Sequence, residues 1–339
     1  MPKKLNKAPS FFKNMSTLKK VLIAFFVLLI FIIIVEQPGS DENKRKKHYK
    51  FFVPKLIIED VEKIQIKNIN KINIVLEKNN GEWYLKDKTI VPGDKKKILS
   101  FLKNIHNLKE GELVSKNLDR ISIYNVDKNN GAHVQIWDNK KHEVTNFFAG
   151  KYSDKGQFIR RSDSNRVFNS DTILMPFLKG DVEGWKNKTV LAVDEKKAMK
   201  ITLKSLKKEL VLAKSVTRNQ YTIDKSPEKA SMDDWIIANS SNKYEASEQD
   251  LKDLFDQLKQ LKAQSFADNE EGKLVDFQEP DYKITARMVD NSIKSAVFKA
   301  SKIKKDKYFA KNQDGQFIYI LSSDFVDKIF GLKFEDGKK

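Results

Sequence analysis

The chain has 339 residues, 40% hydrophobic and 32% charged, with a formal net charge of +18, four histidines and no cysteine. The absence of cysteine excludes disulfides, thiolate catalysis and cysteine-ligated metals. Eleven basic and three acidic residues fall in residues 1–50, and beyond them lysine alternates with aspartate and glutamate. That is the pattern of a solvated surface and not the concentrated basic patch that binds nucleic acid.

Residues 21–35, VLIAFFVLLIFIIIV, are apolar at all fifteen positions. A helix starting at Leu18 reaches about 27 Å, enough to span the hydrocarbon core with Lys19 and Lys20 extending their amines to the interface. A cleaved secretory signal is the rival reading, but EQPGSDEN downstream offers only Pro38-Gly39-Ser40 as a small-residue site. An uncleaved transmembrane helix over 18–35 is therefore expected, after a cytoplasmic segment 1–17. Residues 1–20 and 36–55 carry six basic residues each, so the positive-inside count is tied. Lys19 and Lys20 abut the apolar run, whereas the other flank begins with Glu36. This orientation puts the N-terminus inside, the chain singly across the inner (cytoplasmic) membrane, and the body outside the cytoplasm.

Residues 36–54 read as a polar linker. In DVEKIQIKNINKINIVLEKNNGEWYL, from Asp60, Ile64 alternates with Ile66 and Ile72 with Ile74 and Leu76 before the Asn79-Asn80-Gly81 turn. The spacing predicts an antiparallel meander. Pro92-Gly93-Asp94 opens a helix striped by Ile98, Leu99, Phe101, Leu102, Ile105 and Leu108. A loop through Asn125 follows, then a hairpin turning at Asp138-Asn139, strands over 158–160 and 166–168, and a short helix near Asp171 limited by Pro176. The second half repeats this plan: strands over 199–203 and 209–212, a Trp235 strand, and a helix from Ser247 striped by Leu251, Leu254, Phe255, Leu258 and Leu261. Trp83 and Trp235 are 152 residues apart, as are Asp138 and Asp290, and the helix stripes repeat at 153. The fold expected is α+β: one transmembrane helix, then two tandem antiparallel-sheet-plus-helix modules over 55–193 and 194–339. GQFI at 156 and 315 falls out of this register and is read as coincidence.

DVEKIQI, GEWYL, FFAGK, FIRR, RVF and GWKNKTVLAVD, together with the N-terminal anchor, resemble the bacterial family described as domain of unknown function 4340 (DUF4340). The resemblance implies an auxiliary component of ABC-type export systems, including those linked to gliding motility. It supplies no catalytic residues.

Ser-x-x-Lys occurs at Ser16, Ser100, Ser205 and Ser301, as expected in a lysine-rich chain, without the SDN and KTG companions that a serine acylase needs. His48, His106, His133 and His142 lack metal-site spacing, and no phosphate-loop or dinucleotide fingerprint is present. No catalytic, metal or cofactor site is therefore expected. The one candidate surface is Lys151, Lys155, Arg160, Arg161 and Arg166 on a strand pair, facing an anionic headgroup or an acidic partner, with Lys302, Lys304, Lys305, Lys307 and Lys311 in the second copy. The expected function is a non-catalytic accessory subunit that binds the membrane and integral transporter subunits. An envelope hydrolase using carboxylates, or a division- or adhesion-type structural protein, are the alternatives.

Overall fold

The computed structural model describes residues 16–17, 21–28, 49–214, 235–237, 244–245, 248–313 and 315–331. The chain divides into two units, Met1–Lys50 and Phe51–Lys339. In the first, residues 21–28 are helical and every side chain is exposed. Among the described residues no helix is long and apolar enough to cross a membrane. The remainder of the expected 18–35 span lies outside the described residues.

In the second unit, alternation puts Ile64 with Ile66, Ile74 with Leu76, and Trp83 with Leu85 on one buried face. These residues lie on β1 (Val61–Lys67), β2 (Asn73–Asn79) and β3 (Glu82–Lys86), an antiparallel meander that β4 (Ile90–Pro92) extends. Helix α1 (Lys95–His106) starts at Asp94, whose carboxylate accepts from the Lys97 amide at 3.1 Å, and buries Ile98, Phe101, Leu102 and Ile105 in the same core. With β5 (Glu112–Ser115), β6 (Ala132–Asp138), β7 (Glu143–Ser153), β8 (Gly156–Arg161) and β9 (Val167–Ser170) the sheet takes the order β4-β3-β2-β1-β6-β7-β8-β9-β5. A short helix, α2 (Met175–Leu178), and the strand β10 (Thr189–Leu191) follow.

The second sheet is built from β11 (Ala198–Ser205), β12 (Glu209–Lys214), β13 (Trp235–Ile237) and β14 (Tyr244–Glu245), then β16 (Ser265–Phe266), β17 (Tyr282–Met288), β18 (Ile293–Ala300), β19 (Lys307–Asn312) and β20 (Tyr319–Ser322). Its order, β14-β13-β12-β11-β17-β18-β19-β20-β16, is that of the first sheet element for element. Helix α3 (Glu248–Leu258) buries Leu251, Leu254, Phe255 and Leu258, and β15 (Leu261–Lys262) follows it; the expected cap at Ser247 lies outside the described residues. Two helices, α4 (Asn269–Lys273) and α5 (Ser323–Phe330), complete this half.

Register carries the likeness to single residues. Lys78 faces Trp83 across β2–β3, as Lys214 faces Trp235 across β12–β13. A register shift falls between Val61 and Lys63 in one sheet and between Ala198 and Lys200 in the other. The same register corrects the match of Asp138 with Asp290. Ile64 pairs with Ile136 and Ile201 with Ala286, and the left-handed residue of the next turn is Lys141 in one hairpin and Asn291 in the other, each at φ 63°. The slip of two residues keeps every side chain on its face, so alternation alone cannot detect it. GQFI at 156–159 lies in β8, whereas at 315–318 it precedes β20, so the two copies are unrelated in the fold.

Three further expectations change. The loop through Asn125 contains β5 and a 3-10 helix, Leu118–Tyr124, that packs Tyr124 on Phe158 with ring centroids 4.8 Å apart. Pro176 sits in the first turn of α2 and starts that helix, where its missing N–H has no partner to lose. Phe52 and Val53, placed in the linker by the sequence, are buried.

The two halves share a connector. Phe51 bridges Lys109, and Thr189 in β10 pairs with Lys262 in β15, so each half begins by pairing with the segment that follows its long helix. Trp185 is buried in the first core, while Val190, Leu191 and Val193 are buried in the second. Between them the backbone alternates partners: Asp94 N donates to Trp185 O (2.7 Å), Asn187 N to Pro92 O (2.8 Å), and Ala263 N to Lys188 O (2.8 Å). Phe266 packs against both cores.

Trp83 and Trp235 are 3% and 1% exposed. Trp83→Ala and Trp235→Ala should each cost about 3–5 kcal/mol of stability. Chemical denaturation of the two variants measures this, and unchanged midpoints would contradict the packing.

Candidate interaction site

The five basic residues singled out by sequence separate on the structure. Lys151 and Lys155 are exposed at the end of β7 and in the turn after it, and Arg166 is exposed with its guanidinium 5.2 Å over the Phe168 ring. Arg160 is 6% exposed. Its Nε donates to Val126 O at 2.8 Å, and its Nη1 to Arg161 O at 2.9 Å and Ser164 O at 2.6 Å. Burial pushes its pKa below the usual arginine value, and the carbonyl fork replaces the lost water. Arg161 lies 4.5 Å over the Phe52 ring and donates to Phe52 O, fastening the chain where it enters the body. Arg160 is thus removed from the predicted surface and Arg161 is half-buried; a charge pattern does not reveal that carbonyls wait beneath it. In the second half, Lys304 pairs with Glu271 and Lys307 donates to Gln264 Oε1 at 2.7 Å.

One opening lies where the two halves meet. A cleft of about 750 Å³ is lined on one side by Lys88 to Val91, from the β3–β4 hairpin, and on the other by Phe266, Lys273 and Phe317. Both bordering strands, β4 and β16, are edge strands of their sheets. Tyr84 and Phe317 reach across the junction with centroids 6.3 Å apart, and Phe317 meets Phe266 edge-on at 6.1 Å. Ile90 is 58% exposed at the rim. Lys273 and Glu270 form an ion pair of 2.8 Å beside it. An apolar floor with a charged rim is the composition of a protein-contact surface. Sequence reading missed it because its residues come from distant segments and share no periodicity.

Carboxylates line another pocket. Asp194, Glu195 and Asp256 line a pocket of about 450 Å³ with Lys196, Lys259 and Lys294. Burial, opposed by Lys214 and aided by Asp194 and Asp256, holds Glu195 above the usual glutamate range. Asp194 accepts from Lys196 N at 3.1 Å, and Lys214 Nζ donates to Glu195 O at 3.2 Å.

The other motifs resolve locally. Ser205 and Ser301 accept from the amides of Lys208 and Lys304 at 3.0 and 2.8 Å, so these Ser-x-x-Lys matches are turns. His133 stacks on Phe148 at 4.5 Å and bonds Asn146 Oδ1 at 2.7 Å.

Because the folded state holds the Glu195 proton more tightly than the unfolded chain does, its contribution is fully present below about pH 4 and lost as pH rises through its elevated pKa. Glu195→Gln should therefore raise the melting temperature at pH 7 and leave it unchanged near pH 3.5. Melting curves across pH check this; equal curves at pH 7 would contradict the placement of Glu195.

No curated protein and no solved structure matches the chain. A family model for a domain of unknown function (DUF4340) matches residues 83–280, more than half of the chain. The match runs from the Trp83 strand of the first sheet across the connector to the residues just before β17 of the second, and leaves DVEKIQI outside. Its span takes in GEWYL from Trp83 onward, FFAGK, FIRR, RVF and the GWKNKTVLAVD connector. The chain belongs to the DUF4340 family.

Proposed function

We propose that this protein is a non-catalytic, membrane-tethered accessory subunit whose two-sheet body docks on the extracytoplasmic face of an ABC-type transport complex. The observation that carries this reading is the junction cleft, whose lining comes from both halves. The tether is supported by the helix over 21–28, whose apolar side chains are exposed on every side, and by Lys19 and Lys20 before it. Residues 21–35 hold one small residue, Ala24, and no small-xxx-small pair, so close helix packing in lipid contributes little. Binding energy then resides in the body. Family membership supports an auxiliary role without assigning one.

A second reading, an envelope hydrolase, is favoured by the raised Glu195 beside Asp194 and Asp256. It requires Glu195→Gln to abolish turnover of an envelope polymer such as peptidoglycan while partner binding persists.

Mild-detergent capture of the full-length protein, with partners identified by mass spectrometry, tests the leading reading. Replacing residues 21–35 by an unrelated apolar helix should preserve capture of permease and ATPase subunits. Ile90→Lys with Lys273→Glu, both on the exposed rim, should reduce it at least tenfold. Deleting residues 194–339 removes one wall of the cleft and should abolish it. Loss on the helix swap together with retention in the rim variant would overturn the proposal.

A further inference from the structure

A third pocket, of about 440 Å³, opens in the first half, remote in sequence from the second sheet. Lys151 and Lys179 line it with Asn125, Asn130, Gly150 and Tyr152. No aspartate or glutamate is among its lining residues. Both lysines are exposed, and neither forms an ion pair among the described residues. The wall segments come from the β1–β2 turn, the approach to β6, the end of β7 and the end of α2.

Buried polar side chains hold these segments together. Asn68, fully buried, accepts from the amides of Asn70 and Ile72 at 2.9 Å each and donates to Gly180 O at 2.6 Å. It straps the β1–β2 turn to the segment carrying Lys179, and Asn70 Nδ2 adds a bond to Lys179 O at 3.3 Å. Gln157, also fully buried, donates to Gly150 O at 3.1 Å and accepts from Leu174 N at 2.6 Å, tying the Gly150–Lys151 wall to the start of α2. Arg160 holds Val126 O, beside Asn125. Asn125 is left-handed at φ 55°. A Cβ at residue 150 would stand 2.1 Å from Tyr124 O, so only glycine lets this wall close. The Asp127 carboxylate accepts from the amides of Asn129 and Asn130 at 2.7 and 3.1 Å and from the Asn130 side chain at 3.0 Å.

Five polar or charged residues are buried among the described residues, and three of them, Asn68, Gln157 and Arg160, brace this one pocket. A buried polar group costs stability unless fully paired, so its use here fixes a geometry rather than a fold. The second sheet makes the same point. By strand register Gln157 corresponds to Tyr308 and Arg160 to Lys311, and neither reproduces the bracing. The fold can be built without it.

We infer that this pocket binds a phosphate ester. Two lysine ammoniums balance a phosphate dianion, and the side-chain amide of Asn125 supplies a neutral donor. The volume exceeds that of bare phosphate and lies within the range of small-ligand sites, about 300–1,000 Å³. The ester comes from a soluble metabolite or from a lipid headgroup. The inference goes beyond the docking role and does not rest on it.

Titration calorimetry of the full-length protein in neutral-detergent micelles, with glycerol 3-phosphate as the soluble probe, tests it. A parallel thermal-shift titration mixes phosphatidylglycerol into the micelles as the lipid probe. One-site saturation by the soluble probe alone assigns a soluble ester, by the lipid alone a headgroup, and either supports the site. Lys151→Gln with Lys179→Gln should raise Kd at least tenfold without shifting the melting temperature of the unliganded protein. Lys252→Gln, on the exposed face of α3, should leave Kd unchanged. No saturable response to either probe, undiminished binding by the double variant, or equal weakening by Lys252→Gln would overturn the inference.

Discussion

Trp185 sits in the first core at the start of a connector that ends, eight residues on at Val193, in the second. Its ring packs edge-on against Phe101 of α1 at 5.7 Å. Lys97, also on α1, lies 4.6 Å over that ring and donates to Gly184 O at 2.9 Å. Burial lowers the Lys97 pKa, partly offset by Asp94 and Asp181. The polar face of the connector is tied as well: Lys186 bridges Glu183 at 2.5 Å and Asp87 at 3.2 Å, and Lys188 reaches Glu183 at 2.8 Å. Such partly exposed pairs each contribute about 1 kcal/mol or less, so the fastening depends on the buried tryptophan and the backbone bonds. Gly-Trp-Lys-Asn-Lys-Thr-Val-Leu is thus a hinge made rigid.

For the proposed docking role, that rigidity matters. The cleft between β4 and β16 keeps its shape only while the sheets hold their places, and its residues come from both. Entry of the chain is fixed in the same way, through Phe52 N to Leu108 O at 2.7 Å and Arg161 over the Phe52 ring. A body clamped at its entry and braced at its waist presents the cleft as a preorganised surface, which lowers the ordering cost of association.

Much of this was legible in the sequence, and the limits are physical. Alternation found β1, β2, β6 and β17, and the 3.6-residue stripe found α1 and α3 with their buried residues. The repeat showed because helix stripes and tryptophan strands keep a spacing through the middle of each half. Strand β5 and the 3-10 helix were missed because ELVSKNLDRISIY has no consistent period. The connector was noted only as a family feature, since a segment that sends Trp185 into one core and Val190, Leu191 and Val193 into the other has no single period. Arg160 was read as surface because charge patterning counts residues and cannot see the carbonyls of Val126 and Ser164 that receive it. The cleft and the lysine pocket depend on residues far apart in sequence, brought together by strand order.

The central claim is that the connector makes the two sheets one cooperative body. Hydrogen exchange of the full-length protein, comparing wild type with Trp185→Ala, tests it most directly. The account predicts that amide protection falls in both Lys95–His106 and Glu248–Leu258, although the lost side chain contacts only the first. A loss confined to the first helix, with the second unchanged, would contradict it.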